Sequence, residues 1–149
     1  MAAGQVDEFK LELPSDPRYL AMMRAVVAAA AEAAGFDEEE RRRIVLGLCE
    51  AASNVIEHCY GRDPSCRFEV RCRLHPDRLE IFLRDYGPKP DVDRLKEREI
   101  EPLRPGGLGL HVIRETMDEV EYDLSHAVGT EMRMVKYRPH AGGARGGTE

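Results

Sequence analysis

A chain of 149 residues has room for one domain on the usual scale of roughly 100–200 residues each. Lys and Arg number 22 against 28 Asp and Glu, a net charge of −6, which argues against a protein that grips a phosphate backbone through a basic surface. At 42% hydrophobic and 34% charged the composition is globular, and the longest apolar run, Ala25 to Ala31, falls far short of the ~20 residues of a membrane span.

The N-terminus lacks the basic-then-apolar pattern of a secretory signal, so the expected setting is cytoplasmic. Cys49, Cys59, Cys66 and Cys72 form no CxxC pair, and together with His58 they match no closed zinc site. They are expected to be reduced, mostly buried thiols.

Phe9, Leu11 and Leu13 alternate with Lys10 and Glu12, the period of a half-buried strand ended by Pro14. Asp16-Pro17 reads as an N-cap with an N1 proline, and Gly35 as the C-cap of a helix over 17–34. Asp37 starts a second helix, with Glu40 as its capping-box partner, running to Gly61 as C′ residue. Phe68-Val70-Cys72-Leu74 and Leu79-Ile81-Leu83 alternate around His75-Pro76-Asp77, a β-hairpin. Residues 86–107 hold Pro88, Pro90, Pro102 and Pro105, three glycines and a charged middle, the character of a lid or binding loop. Leu108 to Met117 has helical spacing. Val120-Tyr122-Leu124 and Met132-Met134 form a last hairpin around His126 to Gly129. The Gly-rich tail over 139–149 is expected to be disordered. The order is β-α-α-β-β-lid-α-β-β in one domain over 1–138. It predicts an α+β two-layer sandwich, a mixed or antiparallel sheet with helices on one face.

Four features have chemical potential. Glu50 and Asn54 interrupt an apolar stretch at i, i+4, about 40° apart around the helix, with His58 a turn on. A carboxylate and an amide stacked this way can hold a hydrated Mg²⁺ beside a phosphate, or simply mark the helix's solvent side. Asp85-Tyr86-Gly87 ends a strand: the Asp can accept from an exocyclic amine while Gly87 admits a flat ring, or the three form an ordinary turn. Pro105-Gly106-Gly107-Leu108-Gly109-Leu110 opens a helix, where free N–H groups favour a polyphosphate. It is neither a Walker A nor a Rossmann fingerprint, and a glycine-capped lid hinge is the alternative. Gly129-Thr130 is explained by a tight turn before a strand.

In that order the four features resemble one family. Glu50-Ala51-Ala52-Ser53-Asn54-Val55-Ile56-Glu57-His58-Cys59-Tyr60-Gly61 resembles the N-box of the GHKL ATPase/kinase superfamily, in particular its anti-sigma factor serine/threonine protein kinases. Asp85-Tyr86-Gly87 falls at that family's first glycine box, Gly107-Leu108-Gly109-Leu110 at the second, and Gly129-Thr130 at its closing Gly-Thr.

The resemblance, over about residues 6–138, implies a Bergerat-type ATP site. Glu50 would be the general base and Asn54 the Mg²⁺ ligand. Asp85 would bond the adenine amine, with Gly87 admitting the ring. Gly107, Leu108 and Gly109 would wrap the phosphates, and Thr130 would support the adenine network. Lys89 stands where the first box has its second glycine. Pro105 stands where family kinases often carry an arginine, leaving Arg104 to reach the terminal phosphate. Lys89 and Arg104 are the lid cations expected near the nucleotide.

The implied function is an ATP-dependent protein-serine kinase that phosphorylates a STAS-type anti-sigma factor antagonist and sequesters a sigma factor. The same resemblance implies a homodimer, while the acidic balance and the short apolar runs argue against direct nucleic-acid or membrane partners. Two alternatives stay open. One is a catalytically weak nucleotide-binding module acting by sequestration; the other is a switch kinase acting on a phosphatase regulator. His58 reads as part of the helix end.

Overall fold

The computed structural model describes residues 4–89 and 108–139. In chain order these form β1 (Asp7–Pro14), a 3₁₀ turn (Pro17–Tyr19), α1 (Leu20–Ala33), α2 (Glu38–Asn54), a π-helical turn (Val55–Cys59), β2 (Arg67–Leu74), β3 (Arg78–Asp85), α3 (Leu108–Thr116), β4 (Glu119–Asp123) and β5 (Thr130–Tyr137). The expected lid, apart from residues 86–89, and the tail from residue 140 lie outside the described residues. No helix among the described residues is long and apolar enough to cross a membrane.

The strands make one sheet in the order β1-β2-β3-β5-β4. Every pairing is antiparallel, which settles the choice between a mixed and an antiparallel sheet. β4 pairs only with β5, so the last strand, and not the next one in sequence, lies against β3.

Local chemistry explains the helix boundaries. The Asp16 side chain accepts from Arg18 N–H at 3.0 Å, with Pro17 at the first helical position. α1 closes in a full Schellman motif. Gly35 takes φ +89°, its N–H donates to the Glu32 carbonyl, and Phe36 N–H donates to that of Ala31. The Asp37 side chain accepts from Glu40 N–H at 2.8 Å. The return half of the predicted capping box is replaced: the Glu40 carboxylate lies 3.2 Å from Lys136 Nζ. Lys136 is buried and also donates to the Thr116 carbonyl at 2.9 Å, a cation at the negative C-terminal end of α3.

The core lies between the helices and one sheet face. Met23, Val27 and Ala31 of α1 and Ile44, Leu48 and Ala52 of α2 meet Phe68, Val70, Ile81, Leu83 and Met134, all fully buried. Truncating any of the larger ones to Ala leaves a cavity that costs about 2–5 kcal/mol. Gly47 lets α2 and α3 touch: a β-carbon there would lie 2.5 Å from Thr116 Oγ1 and 3.0 Å from Met117 Cε.

The outer sheet face is charged. Like charges sit opposite each other at Glu12 and Glu69 and at Lys10 and Arg71. Lys10 lies diagonally 3.7 Å from Glu69, and Arg67 lies 2.9 Å from Glu12. Of the four cysteines, all free, only Cys72 is fully buried; Cys49, Cys59 and Cys66 are half-buried. Cys49 and Cys59 pack against the edge of the core, so full burial holds for one of the four thiols.

Candidate functional site

The β3–β5 ladder puts Asp85 directly opposite Thr130, on the sheet face that points toward the helices. Both are 4% exposed. Together with Asn54, Ala51 and Val55 from the end of α2, and with Leu110 of α3, they line a cleft of about 70 Å³ whose floor is Leu83, Met132 and Tyr122. Each of the four motifs read from the sequence thus contributes a residue to one cleft.

The α-helix stops at Asn54 and continues as a π turn, where Tyr60 N–H donates to the Val55 carbonyl. The sequence pattern predicted an unbroken helix to Gly61. Widening the turn by one residue displaces the following side chains around the axis, the kind of local departure that accumulates at functional sites. Both His58 and Cys59 line the cleft as a result. His58 is therefore a wall of the site as well as the helix end.

Two glycines hold the cleft's geometry. A β-carbon on Gly87 would lie 3.0 Å from the Cys59 carbonyl oxygen and 3.3 Å from the Tyr60 ring. Gly129 has φ +74°, and its β-carbon would fall 2.0 Å from the Asp85 carbonyl oxygen. Both glycines permit backbone to approach backbone, which is why the first box can lie against the end of α2 and the closing turn against the end of β3.

Two residues that sequence reasoning passed over complete the frame. Tyr60 Oη accepts from Tyr86 N–H and donates to the Arg67 carbonyl, each at 2.7 Å. Burial pushes its phenol up to about 12. Arg84 donates to the carbonyls of Asp85 at 2.5 Å and Val128 at 2.7 Å, and stacks 4.4 Å over the Tyr86 ring. Nothing in the sequence singles out Arg84, which stands between Leu83 and Asp85 at the end of β3. The only signal for Tyr60 was its place at the end of the N-box.

Electrostatics fit the cleft to a ligand. Burial pushes the Asp85 carboxyl above its ordinary value, opposed by backbone N–H donors of Gly87 and Thr130 and by the Arg84 charge. Gly87 N–H donates to Asp85 Oδ1 at 3.0 Å. Thr130 Oγ1 is buried without a hydrogen-bond partner among the described residues, a state that costs about 1–3 kcal/mol when nothing fills it. A carboxylate acceptor beside an orphan hydroxyl in an apolar slot suits the edge of a flat heterocycle bearing an amine, so the residues present fit an adenine nucleotide.

Glu50 is half-buried one turn back along α2 and does not line the cleft. Gly107 and Arg104 lie outside the described residues, as do the side chains at 108 and 109; α3 begins at Leu108. Lys89 Nζ donates to the Leu124 carbonyl at 2.8 Å. One of its three N–H donors is thus held by the β4–β5 turn.

A two-layer sandwich whose helix end, strand end and closing Gly-Thr meet in one cleft is the architecture of a histidine kinase-like ATPase domain. The family model of that description matches residues 13–136, and the chain belongs to this family. Within it, the chain is similar to the serine-protein kinase RsbW of Bacillus subtilis (strain 168), 29% identical over 90% of this chain and 88% of that one. Serine-protein kinase RsbW of Bacillus velezensis is 28% identical over 89% and 86%. Among solved structures, the RsbU and RsbW domains of Rv1364c from Mycobacterium tuberculosis align over 89% of this chain with TM-score 0.64 and 18% identity. This chain spans 33% of that one, and the likeness is one of fold.

Proposed function

We propose that the chain is an ATP-dependent protein-serine kinase and anti-sigma factor, which phosphorylates a STAS-type antagonist and otherwise holds a sigma factor. The observation that carries this reading is similarity to RsbW kinases along nearly the whole of both chains, joined to a cleft in which Asn54, Asp85 and Thr130 converge. Two copies pairing through a surface away from the cleft belongs to the same reading, and rests on the family resemblance.

ATP would bring the transferable phosphoryl group, and Mg²⁺ the charge neutralisation that phosphoryl transfer requires. Asp85 would accept from the adenine amine, with the Thr130 hydroxyl as its companion. Asn54, at the last α-helical residue, would hold the metal. Gly107, Leu108 and Gly109 would offer N–H groups at the start of α3, where the helix dipole favours anions, and Arg104 would serve the terminal phosphate. Glu50 would take the proton from the substrate serine hydroxyl, one helical turn from the metal ligand.

The test incubates the chain with Mg·ATP and a STAS-type antagonist and reads phosphoserine by intact mass. Wild type should transfer. Glu50→Gln should lose transfer and keep ATP affinity, whereas Asp85→Asn should weaken ATP binding tenfold or more, the loss of a charge-assisted hydrogen bond. ATP binding without transfer by wild type would favour the sequestration module instead.

A further inference from the structure

We propose that Asp123, His126 and Glu131 form a divalent transition-metal site, of the zinc class, that staples the turn between β4 and β5. Asp123 ends β4 and Glu131 is the second residue of β5; the two are direct cross-strand partners. Like charges facing each other across an antiparallel pair destabilise it. The side chain between them is His126, whose Nε2 lies 3.5 Å from Asp123 Oδ2 and 3.9 Å from Glu131 Oε1.

Those separations suit shared coordination better than hydrogen bonding. The 3.9 Å contact is too long for a hydrogen bond, and His126 Nε2, 3.5 Å from Asp123, is buried without a hydrogen-bond partner among the described residues. Ligands held ~2.0–2.2 Å from one zinc ion stand roughly 3–3.6 Å apart. The three donor atoms already lie within 4.8 Å of one another, so small side-chain rotations close the site.

The surroundings orient the Asp123 donor. Ser125 N–H and Oγ–H donate to Asp123 Oδ1 at 2.9 and 2.5 Å, which fixes the carboxylate with Oδ2 toward His126 and holds its pKa below the ordinary carboxylate value, so that it stays ionised. Two cations lie nearby, and a metal would displace the ion pair that one of them makes with Glu131. Arg71 lies 4.2 Å over the Phe82 ring and 3.9 Å from Glu131 Oε1, while Arg84 donates to backbone carbonyls. One imidazole and two carboxylates suit Zn²⁺, Co²⁺ or Mn²⁺ better than Mg²⁺, which retains water and prefers oxygen alone.

Glu131 and Thr130 are adjacent in a strand and point to opposite faces. The metal site and the cleft therefore stand back to back and share no ligand, so nucleotide is not needed to test it.

The experiment titrates chelator-stripped, nucleotide-free full chain with Co²⁺ and Zn²⁺ by calorimetry, with Co²⁺ visible absorption as a coordination readout. One ion per chain should bind saturably and raise Tm. His126→Ala and Asp123→Asn should each weaken binding tenfold or more and remove the Tm gain. His111→Ala, at the exposed His111–Glu115 pair, should change nothing and controls for surface binding. Absence of saturable binding to wild type, or affinity unchanged in both folded site variants, overturns the proposal.

Discussion

A β-carbon on Gly129 would stand 2.0 Å from the carbonyl oxygen of Asp85. The turn that opens β5 is packed this tightly because Arg84 pulls the Val128 carbonyl against the end of β3, bringing Thr130 opposite Asp85. Gly129→Ala therefore meets both an overlap and a left-handed backbone, the latter alone worth about 1–2 kcal/mol. The expected loss is at least about 2 kcal/mol in urea unfolding, with ADP affinity reduced alongside. Unchanged stability and affinity would contradict the packing.

Tyr60→Phe removes one hydroxyl that serves two backbone groups, Tyr86 N–H and the Arg67 carbonyl. Both contacts are near solvent, so water takes over part of the work, and the expected cost to stability is about 1 kcal/mol. Nucleotide affinity should fall by more than stability does, because Tyr86 sits between Asp85 and Gly87. Isothermal titration with ADP beside thermal melts of the same variant separates the two.

Gly47→Ala should destabilise, although Ala is favoured over Gly by about 1 kcal/mol in a helix interior. The added methyl meets Thr116 Oγ1 at 2.5 Å, and that hydroxyl is held by the Val112 carbonyl at 2.8 Å. Overpacking of this kind costs about 1–3 kcal/mol. Adding Thr116→Ala opens the space, so the double variant should recover stability relative to Gly47→Ala in a double-mutant cycle.

Glu80, buried on the charged sheet face, gives the acid response a specific origin. Burial raises its carboxyl, but hydrogen bonds from Arg133, at 2.7 Å, and from His75, with the charges of both, outweigh it and hold the group below its ordinary value of 4.5. A depressed folded-state value means stability that is present above about pH 4.5 and lost as pH falls through the folded value. Glu80→Gln should cost about 1–2 kcal/mol at neutral pH. The gap between wild type and variant should close on acidification, as followed by urea midpoints across that range.

Much of the local structure was legible in the sequence because it is set by short-range chemistry. Asp16, Gly35 and Asp37 cap helices through bonds to residues only a few positions away, and the alternation in β2 and β3 reports one buried face directly. The end of α2 was misread because nothing local distinguishes a π turn from the α-helix that precedes it. Tyr60 and Arg84 escaped notice because their partners, Tyr86 and Val128, are distant in the chain.

The sequence by itself determined which residues carry chemical capacity: a carboxylate at a strand end, an amide on a helix, glycines where backbone must come close, and their order along the chain. It also set the class of fold, since hydrophobic period and capping depend on neighbours in sequence. Only the tertiary structure decided that β5 lies against β3, and with that the pairing of Asp85 with Thr130. The same ladder buries the Thr130 hydroxyl, while the π turn ending α2 brings His58 and Cys59 to the cleft. The physical reason is that strand order and close backbone approach are settled by burying one sheet face under three helices at once, a condition no single segment contains.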